Sequence, residues 1–259
     1  MTNQQYLKVA TAAANAGGKI FKQYFGKAIG IEAKNQNPND LVTDVDKNIE
    51  KLIRSQIRKY FPTHKIIGEE FKADKINKND LIWIIDPIDG TTNYIYGIPF
   101  CCISIALWDK NGPLVAVVYS PILDKFYSAV RGQGAKLNGK KIRVSKTNKL
   151  IKAMGTIGWG KEMVEAKMIF SKLVMRCFKL RVFATGAWQI CMTASSNVDF
   201  FASNRENIWD FAAAVLIVKE AGGKVTDLNG KNISLKTDSI IASNGKLHNQ
   251  LLNKLKSPA

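Results

Sequence analysis

Histidine is almost missing from this sequence. Among 259 residues only His64 and His248 are histidines, which argues against a Ser-His-Asp machine or a histidine-rich zinc centre. Cysteine is sparse too: Cys101, Cys102, Cys177 and Cys191, two of them adjacent and none in a C-x-x-C pair. Free, buried thiols in a reducing cytoplasm are the expectation. Long hydrophobic runs are lacking. No window approaches ~18 consecutive apolar residues, so no membrane span is expected. The opening MTNQQYLKVATAAANAGGKIF has no charged segment followed by a continuous apolar core, and reads as an amphipathic helix rather than a signal peptide. Acids are in deficit: 21 Asp and Glu stand against 38 Lys and Arg, a net charge of +17. Such a balance favours acidic partners, namely phosphorylated metabolites, nucleic acid or an anionic surface. Many lysines come with Asn and Ile, in runs such as KINKNDLI and KNISLK, which a general cationic bias also explains. Internal repeats, low-complexity segments and obvious linkers are absent.

What is present is an ordinary globular composition, 46% hydrophobic and 23% charged, with length enough for a sizeable core. Helical spacing runs through residues 4–25 and again through LVTDVDKNIEKLIRSQIRKYFP, where Ile49, Leu52, Ile53, Ile57 and Tyr60 form one face and Pro62 closes it. Between them lies the polar loop EAKNQNPND. Short apolar runs bounded by Gly, Pro or Asn then read as strands: KIIGEE, LIWIIDP, FCCISIALW, GPLVAVVYSP, KFYSAVRG and KIRVS. RGQGAKLNGKKI is a glycine-rich connection. In the second half, strands at 153–158 and in NVDFFA, KVTD and SIIAS alternate with helices at 161–178, in WDFAAAVLIVKEAGG and at 246–256, and RVFATGAWQICMTA holds a short strand and then a helix. Clustered strands alternating with helix pairs predict α+β layers with large mixed sheets. A single unit over 1–259 is expected, with a soft boundary near 143–152.

With histidine scarce, any chemistry rests on carboxylates. They recur where strands end and helices begin: Asp44 and Asp46, Glu69 and Glu70, Asp86 and Asp89, and Asp210. Mg²⁺ takes such hard oxygen ligands and keeps positions for water and phosphate. In LIWIIDPIDGTTNY the apolar run is expected to end at Asp86, and Pro87 to force a sharp exit that leaves the Ile88 carbonyl available. Gly90, Thr91 and Thr92 follow where a helix could begin, so their N–H groups could hold a phosphate. Any one of these acids alone reads as a turn residue or an N-cap. The whole string directly after a buried run is far more specific.

These residues resemble the inositol monophosphatase family, within the lithium-sensitive, magnesium-dependent phosphatases. GEE at 68–70, WIIDPIDGTTNY at 83–94 and WDFAAAVLIVKEAGG at 209–223 match family motifs in order. LVTDVDKNIE, AVVYSP and RGQGAKLNGKKIRVS match too, so the likeness spans the chain. The resemblance implies a layered α/β/α/β/α sandwich with two mixed sheets, commonly a homodimer. It also implies a Mg²⁺-dependent phosphomonoesterase with two or three ions per site. By that likeness Glu69, Asp86, Asp89, Asp210 and the Ile88 carbonyl bind metal. Asp46 and Thr91, with Glu69, orient and deprotonate the attacking water, and Gly90 and Thr91 hold phosphate. Lys34 best matches a family lysine. Inositol monophosphate is the implied substrate. Histidinol phosphate, fructose 1,6-bisphosphate, NADP and 3′-phosphoadenosine nucleotides are alternatives, the last weakened by Thr92 standing where that branch tends to have lysine. Bacterial members also resemble a factor of ribosomal RNA transcription complexes, so a weak RNA or transcription-complex association is a further alternative that a salt-sensitive shift on RNA would reveal.

The ring-binding positions depart from the family. Its G-[ST]-A-A is Gly186, Ala187 and Trp188 here, and the tryptophan is expected either to reshape the ring pocket or to pack in the core. The family's ring-contacting glutamate falls at Ser203, or at Ala202 with one insertion. Glu206 could substitute only through a rearranged loop. Arg181 is expected to be a solvated surface cation.

Overall fold

The first helix, α1 (Asn3–Tyr24), starts at a capping box: Thr2 accepts from the Gln5 N–H and Gln5 reaches back to Thr2. Its Val9, Ala10, Ala13, Ala14 and Phe21 are buried. The computed structural model describes residues 2–27, 30–33, 41–158 and 163–256. After a small antiparallel pair, β1 (Glu32–Ala33) and β2 (Leu41–Val42), helix α2 (Asp44–Tyr60) begins at a second box built from Thr43 and Asp46. Seven strands follow: β3 (Lys65–Gly68), β4 (Ile82–Asp89), β5 (Cys102–Asp109), β6 (Gly112–Ser120), β7 (Lys125–Val130), β8 (Ala135–Leu137) and β9 (Lys140–Lys141). The short α3 (Thr91–Ile95) sits between β4 and β5. These strands form one sheet in chain order, parallel at β3–β4 and antiparallel elsewhere.

The chain then crosses to a second sheet through β10 (Met154–Ile157), α4 (Met163–Val174), β11 (Lys179–Arg181), α5 (Gly186–Ala194), β12 (Phe200–Ser203), α6 (Ala212–Glu220), β13 (Lys224–Thr226), β14 (Ile240–Ser243) and α7 (His248–Lys256). Its order is β11-β10-β12-β14-β13, parallel on one side and antiparallel on the other.

Period-2 alternation decides the layers. In β4, Trp83 and Ile85 face α1 and α2, while Ile82 and Ile84 face α5 and α6. Strands β5 and β6 divide the same way: Ile103, Ile105, Val115 and Val117 lie on the first side, Ala106, Trp108, Ala116 and Val118 on the second. The far face of the second sheet offers Ile157, Phe200, Ala202 and Ile241 to α4 and α7. Stacked in order, the layers are α/β/α/β/α with two mixed sheets, as the family resemblance implies. Each fully buried large apolar side chain contributes about 1.5–3 kcal/mol relative to exposure, and every residue of β4 is buried.

Several expectations change. The short strand expected at the start of RVFATGAWQICMTA is β11, Lys179–Arg181, which overlaps that stretch only at Arg181. The KIRVS run is strand only at its start, because the Val144 N–H turns away to the Ala221 carbonyl (3.1 Å). Asp210 does not open the long apolar helix. It ends a 3₁₀ turn, Ile208–Asp210, and α6 begins two residues later. All four cysteines are free and buried, and among the described residues no helix is long and apolar enough to cross a membrane.

His248, fully buried at the start of α7, is held between the Thr226 and Ser243 hydroxyls, both at 2.9 Å. Burial first, then Lys224, lowers its pKa from 6.5 to about 4. Between those values the unfolded chain binds a proton that the folded chain refuses. The contribution of His248 to stability therefore falls as pH drops from about 6.5 to 4, at roughly 1.4 kcal/mol per unit where steepest. Urea unfolding of wild type and His248→Gln across this window measures it as the difference between their two slopes.

Candidate active site

Strand β4 does not end at Asp86. It runs on to Asp89, with Asp86 opposite Ser104 and Asp89 opposite Cys102. Three steps along β4 thus match two along β5, a bulge with one extra residue. Pro87 suits it, having no N–H to give the ladder. A regular strand would send residues three apart to opposite faces. Here the extra residue brings Asp86 and Asp89 into one electrostatic neighbourhood.

Gly90 follows at φ +88° and serves as the N-cap of α3. A Cβ there would stand 3.0 Å from the Phe100 carbonyl oxygen and 3.2 Å from the Thr185 Cβ. Both the left-handed backbone and the lack of room require glycine. Thr91 is then aimed back at the strand end: its hydroxyl donates to Asp46 Oδ1 (3.2 Å) and the Ile88 carbonyl (3.0 Å). Asp46 is fully buried. Its other oxygen accepts from the Thr43 N–H (2.9 Å) and the Thr43 hydroxyl, so the capping box of α2 also fixes the partner of Thr91.

Four acids gather beyond this pair. Burial pushes the Asp86 carboxyl well above the usual carboxylate range, and the charges of Glu69, Asp89 and Asp210 push the same way. Asp210 is raised for the same reasons: desolvation first, then Glu206, Glu69 and Asp89. Asp89 is raised by burial against the pull of four donors. Those donors are the Thr185 hydroxyl, the Gly186 N–H (2.9 Å), the Trp188 N–H (3.3 Å) and the Cys102 thiol (3.4 Å). Asp89 thereby caps α5 from the other sheet and satisfies two of that helix's first N–H groups. Asp210 Oδ2 accepts from the Asn207 N–H at 2.7 Å.

The donor set fits a hard divalent cation. It is all oxygen, its negative charges oppose one another, and Asp86 Oδ1 is buried with no hydrogen-bond partner among the described residues. As they stand, with Asp89 turned to α5 and Asp210 to Asn207, no three His, Cys, Asp or Glu among the described residues converge to enclose an ion.

The remaining predicted positions divide. Gly186 belongs to the site, since a Cβ there would lie 2.9 Å from the Asp210 carbonyl oxygen. Ala187 is fully buried. Trp188 reaches the site only through its backbone. Its side chain is buried between the sheets, edge-on to Tyr127 at 5.8 Å, so of its two expected placements it takes the one in the core. Glu206 is half-buried, with its carboxylate on the Ser203 hydroxyl and its N–H on the Asp238 carbonyl (2.7 Å). Arg181 is exposed and donates to the Leu180 carbonyl. Lys34 lies outside the described residues.

Sequence reasoning missed Thr185 and Asn93. Asn93 Nδ2 donates to the Phe100 (2.8 Å) and Phe183 (2.6 Å) carbonyls, tying the approach to α5 to the glycine turn. A threonine before a glycine at a helix start was the available signal for Thr185. Nothing local marked its partner as an acid 96 positions earlier in the chain.

The sequence profile of the inositol monophosphatase family matches residues 2–258. The chain belongs to the inositol monophosphatase family. Tomato (Solanum lycopersicum) inositol monophosphatase 2 is 38% identical over 97% of this chain and 98% of its own. The Nus factor SuhB of Pasteurella multocida is 34% identical over 96% and 95%. The solved inositol monophosphatase of Thermotoga maritima superposes with a TM-score of 0.90 at 32% identity, covering 97% of this chain and 96% of that one. Members of the inositol monophosphatase family are phosphoric monoester hydrolases, and the family is generally metal-dependent.

Proposed function

We propose that this chain hydrolyses inositol monophosphate, or a phosphate ester of a similar polyol, with Mg²⁺ as its cation. The observation that carries the reading is the Thr91–Asp46 pair set against a buried, unpartnered carboxylate oxygen of Asp86. Glu69, Asp86, Asp89, Asp210 and the Ile88 carbonyl are the residues that would hold the cation. When bound, Mg²⁺ supplies charge neutralisation for the phosphoryl group and acidifies the attacking water.

The chain's own groups do the rest. The Thr91 proton is directed at Asp46 Oδ1 and the Ile88 carbonyl, which turns the hydroxyl's lone pairs outward to accept from a water. As that water attacks phosphorus in line, its proton passes toward the Thr91–Asp46 pair with Glu69 beside it. The P–O bond opposite breaks, and the alcohol leaves with a proton from solvent. The first N–H groups of α3 have no partner within that helix, so Gly90 and Thr91 can hold phosphate oxygens.

The organic half of the substrate falls to Glu206. Ser203, fully buried on β12, holds that carboxylate, and the left-handed Arg205 (φ +55°) folds the loop back so that Glu206 faces Asp210. A carboxylate there accepts from substrate hydroxyls. With Glu206→Ala, kcat/KM for inositol 1-phosphate is expected to fall about 10- to 100-fold, the worth of a hydrogen bond to a charged group. Turnover of p-nitrophenyl phosphate, which has no such hydroxyls, should stay within about 3-fold. Equal losses on both substrates, or none on either, would exclude Glu206 as the hydroxyl acceptor.

A further inference from the structure

Glu50 is a fully buried carboxylate that the chemistry above does not use. It sits one helical turn after Asp46 on α2, on the same face. Its Oε2 accepts from the Glu70 N–H at 2.7 Å, and its Oε1 from Arg54 Nε at 2.6 Å. Arg54 continues the grip. Its Nη2 donates to the Phe71 carbonyl at 3.1 Å, and its guanidinium lies over the Phe71 ring at 5.7 Å. The backbone of Gly68 packs so closely on this pair that a Cβ would collide with Glu50 Oε1 and stand 2.9 Å from Arg54 Nη2. Glu50 and Arg54 therefore hold residue 68, residue 70 and residue 71. Glu69 is the one left between them, beside Asp86.

We infer that Glu50, itself held by Arg54, is a positioning residue that sets where the Glu69 carboxylate lies, and so the affinity of the acid cluster for its divalent cation. The inference rests on the reading of the site given above. Helix α2 then serves both halves of the site, through Asp46 to Thr91 and through Glu50 to Glu69. Gly68 is also paired with Ile85 in the sheet, and the loop beyond, 71–80, is mostly exposed. Its further tie is Asp74, which takes Arg58 and the Ile66 N–H.

Removing Glu50 alone would leave Arg54 unpaired, so two double variants separate positioning from folding. Glu50→Leu with Arg54→Met replaces the ion pair by apolar groups, an exchange that folded proteins often tolerate, but offers no acceptor to the Glu70 N–H. Glu50→Gln with Arg54→Met is equally uncharged and keeps an acceptor oxygen. Each is compared with wild type by the rise in melting temperature on adding Mg²⁺ without substrate, and by the Mg²⁺ concentration for half-maximal phosphate release. Groups that orient metal ligands typically change metal affinity about 10- to 100-fold. The Leu/Met protein is expected to need at least about 10-fold more Mg²⁺ and to lose most of its Mg²⁺-induced thermal shift, with KM for the phosphate ester within about 3-fold. The Gln/Met protein is expected to stay within about 3-fold of wild type. Equal Mg²⁺ responses in the two double variants overturn the inference. A wild-type protein with no Mg²⁺ response contradicts instead the reading of the site on which it rests.

Discussion

Thr91→Val is expected to leave a folded protein that releases phosphate at least about 100-fold more slowly, with KM changed by less than about 3-fold. Valine has nearly the shape of threonine, so the turn after Gly90 keeps its packing. Asp46 loses one donor but keeps the Thr43 N–H and hydroxyl, so no buried carboxylate is stranded, and the stability cost should be about 1 kcal/mol. What disappears is the hydroxyl between Asp46 and the attacking water, and a placed proton acceptor is typically worth 10²- to 10⁴-fold. Asp46→Asn should match it in kcat. An amide must turn its oxygen to the Thr43 N–H, so its NH₂ faces Thr91 and the donor direction reverses. The double variant should be little slower than either single one, because groups acting as a unit are not additive. Steady-state kinetics on the three proteins decides this, and a loss under about 5-fold in Thr91→Val would remove the pair from the chemistry.

Gly90→Ala is expected to cost both stability and turnover. A left-handed backbone at φ +88° costs an L-residue about 1–2 kcal/mol, and here the Cβ also meets the Phe100 carbonyl at 3.0 Å and Thr185 at 3.2 Å. Relief requires moving Thr185, the donor to Asp89, or the turn that aims Thr91. Gly132 is the control. It too is left-handed, at φ +75°, but has nothing within 4 Å of its would-be Cβ. Both alanine variants should lose melting temperature from backbone strain. Only Gly90→Ala should lose activity as well, by about 100-fold or more if the reacting groups shift by an ångström. Equal activity in the two variants would mean that the turn tolerates displacement.

Local pattern made much of this legible from sequence. The continuous apolar run LIWII gives a strand buried on both faces, the apolar face from Ile49 to Ile57 gives α2, and the order of GEE, DPIDGTTNY and WD gives the family and the acids it needs. What stayed hidden depends on groups distant in the chain. Nothing in DPIDG says that the strand continues through a bulge, because the extra residue exists only relative to β5. The hold of Thr185 on Asp89 joins the two sheets. The grip of Glu50 on Glu70 reads in sequence as one more solvated charge on a helix with several. Trp188 was ambiguous because helix spacing does not tell core from cleft. Glu206 needed the left-handed turn at Arg205 before Ser203 could hold it. Asp210 looks in sequence like the start of its helix because the 3₁₀ turn Ile208–Asp210 runs directly into the apolar pattern of α6.

The measurement that bears most directly on the account is phosphate release from inositol 1-phosphate by the wild-type protein, with Mg²⁺, with EDTA, and with Asp89→Asn as a control. The account predicts steady release with Mg²⁺ that stops on chelation, returns when Mg²⁺ is restored, and is lost in the variant. Release that persists in EDTA, or in Asp89→Asn, would contradict the assignment of the chemistry to this carboxylate cluster.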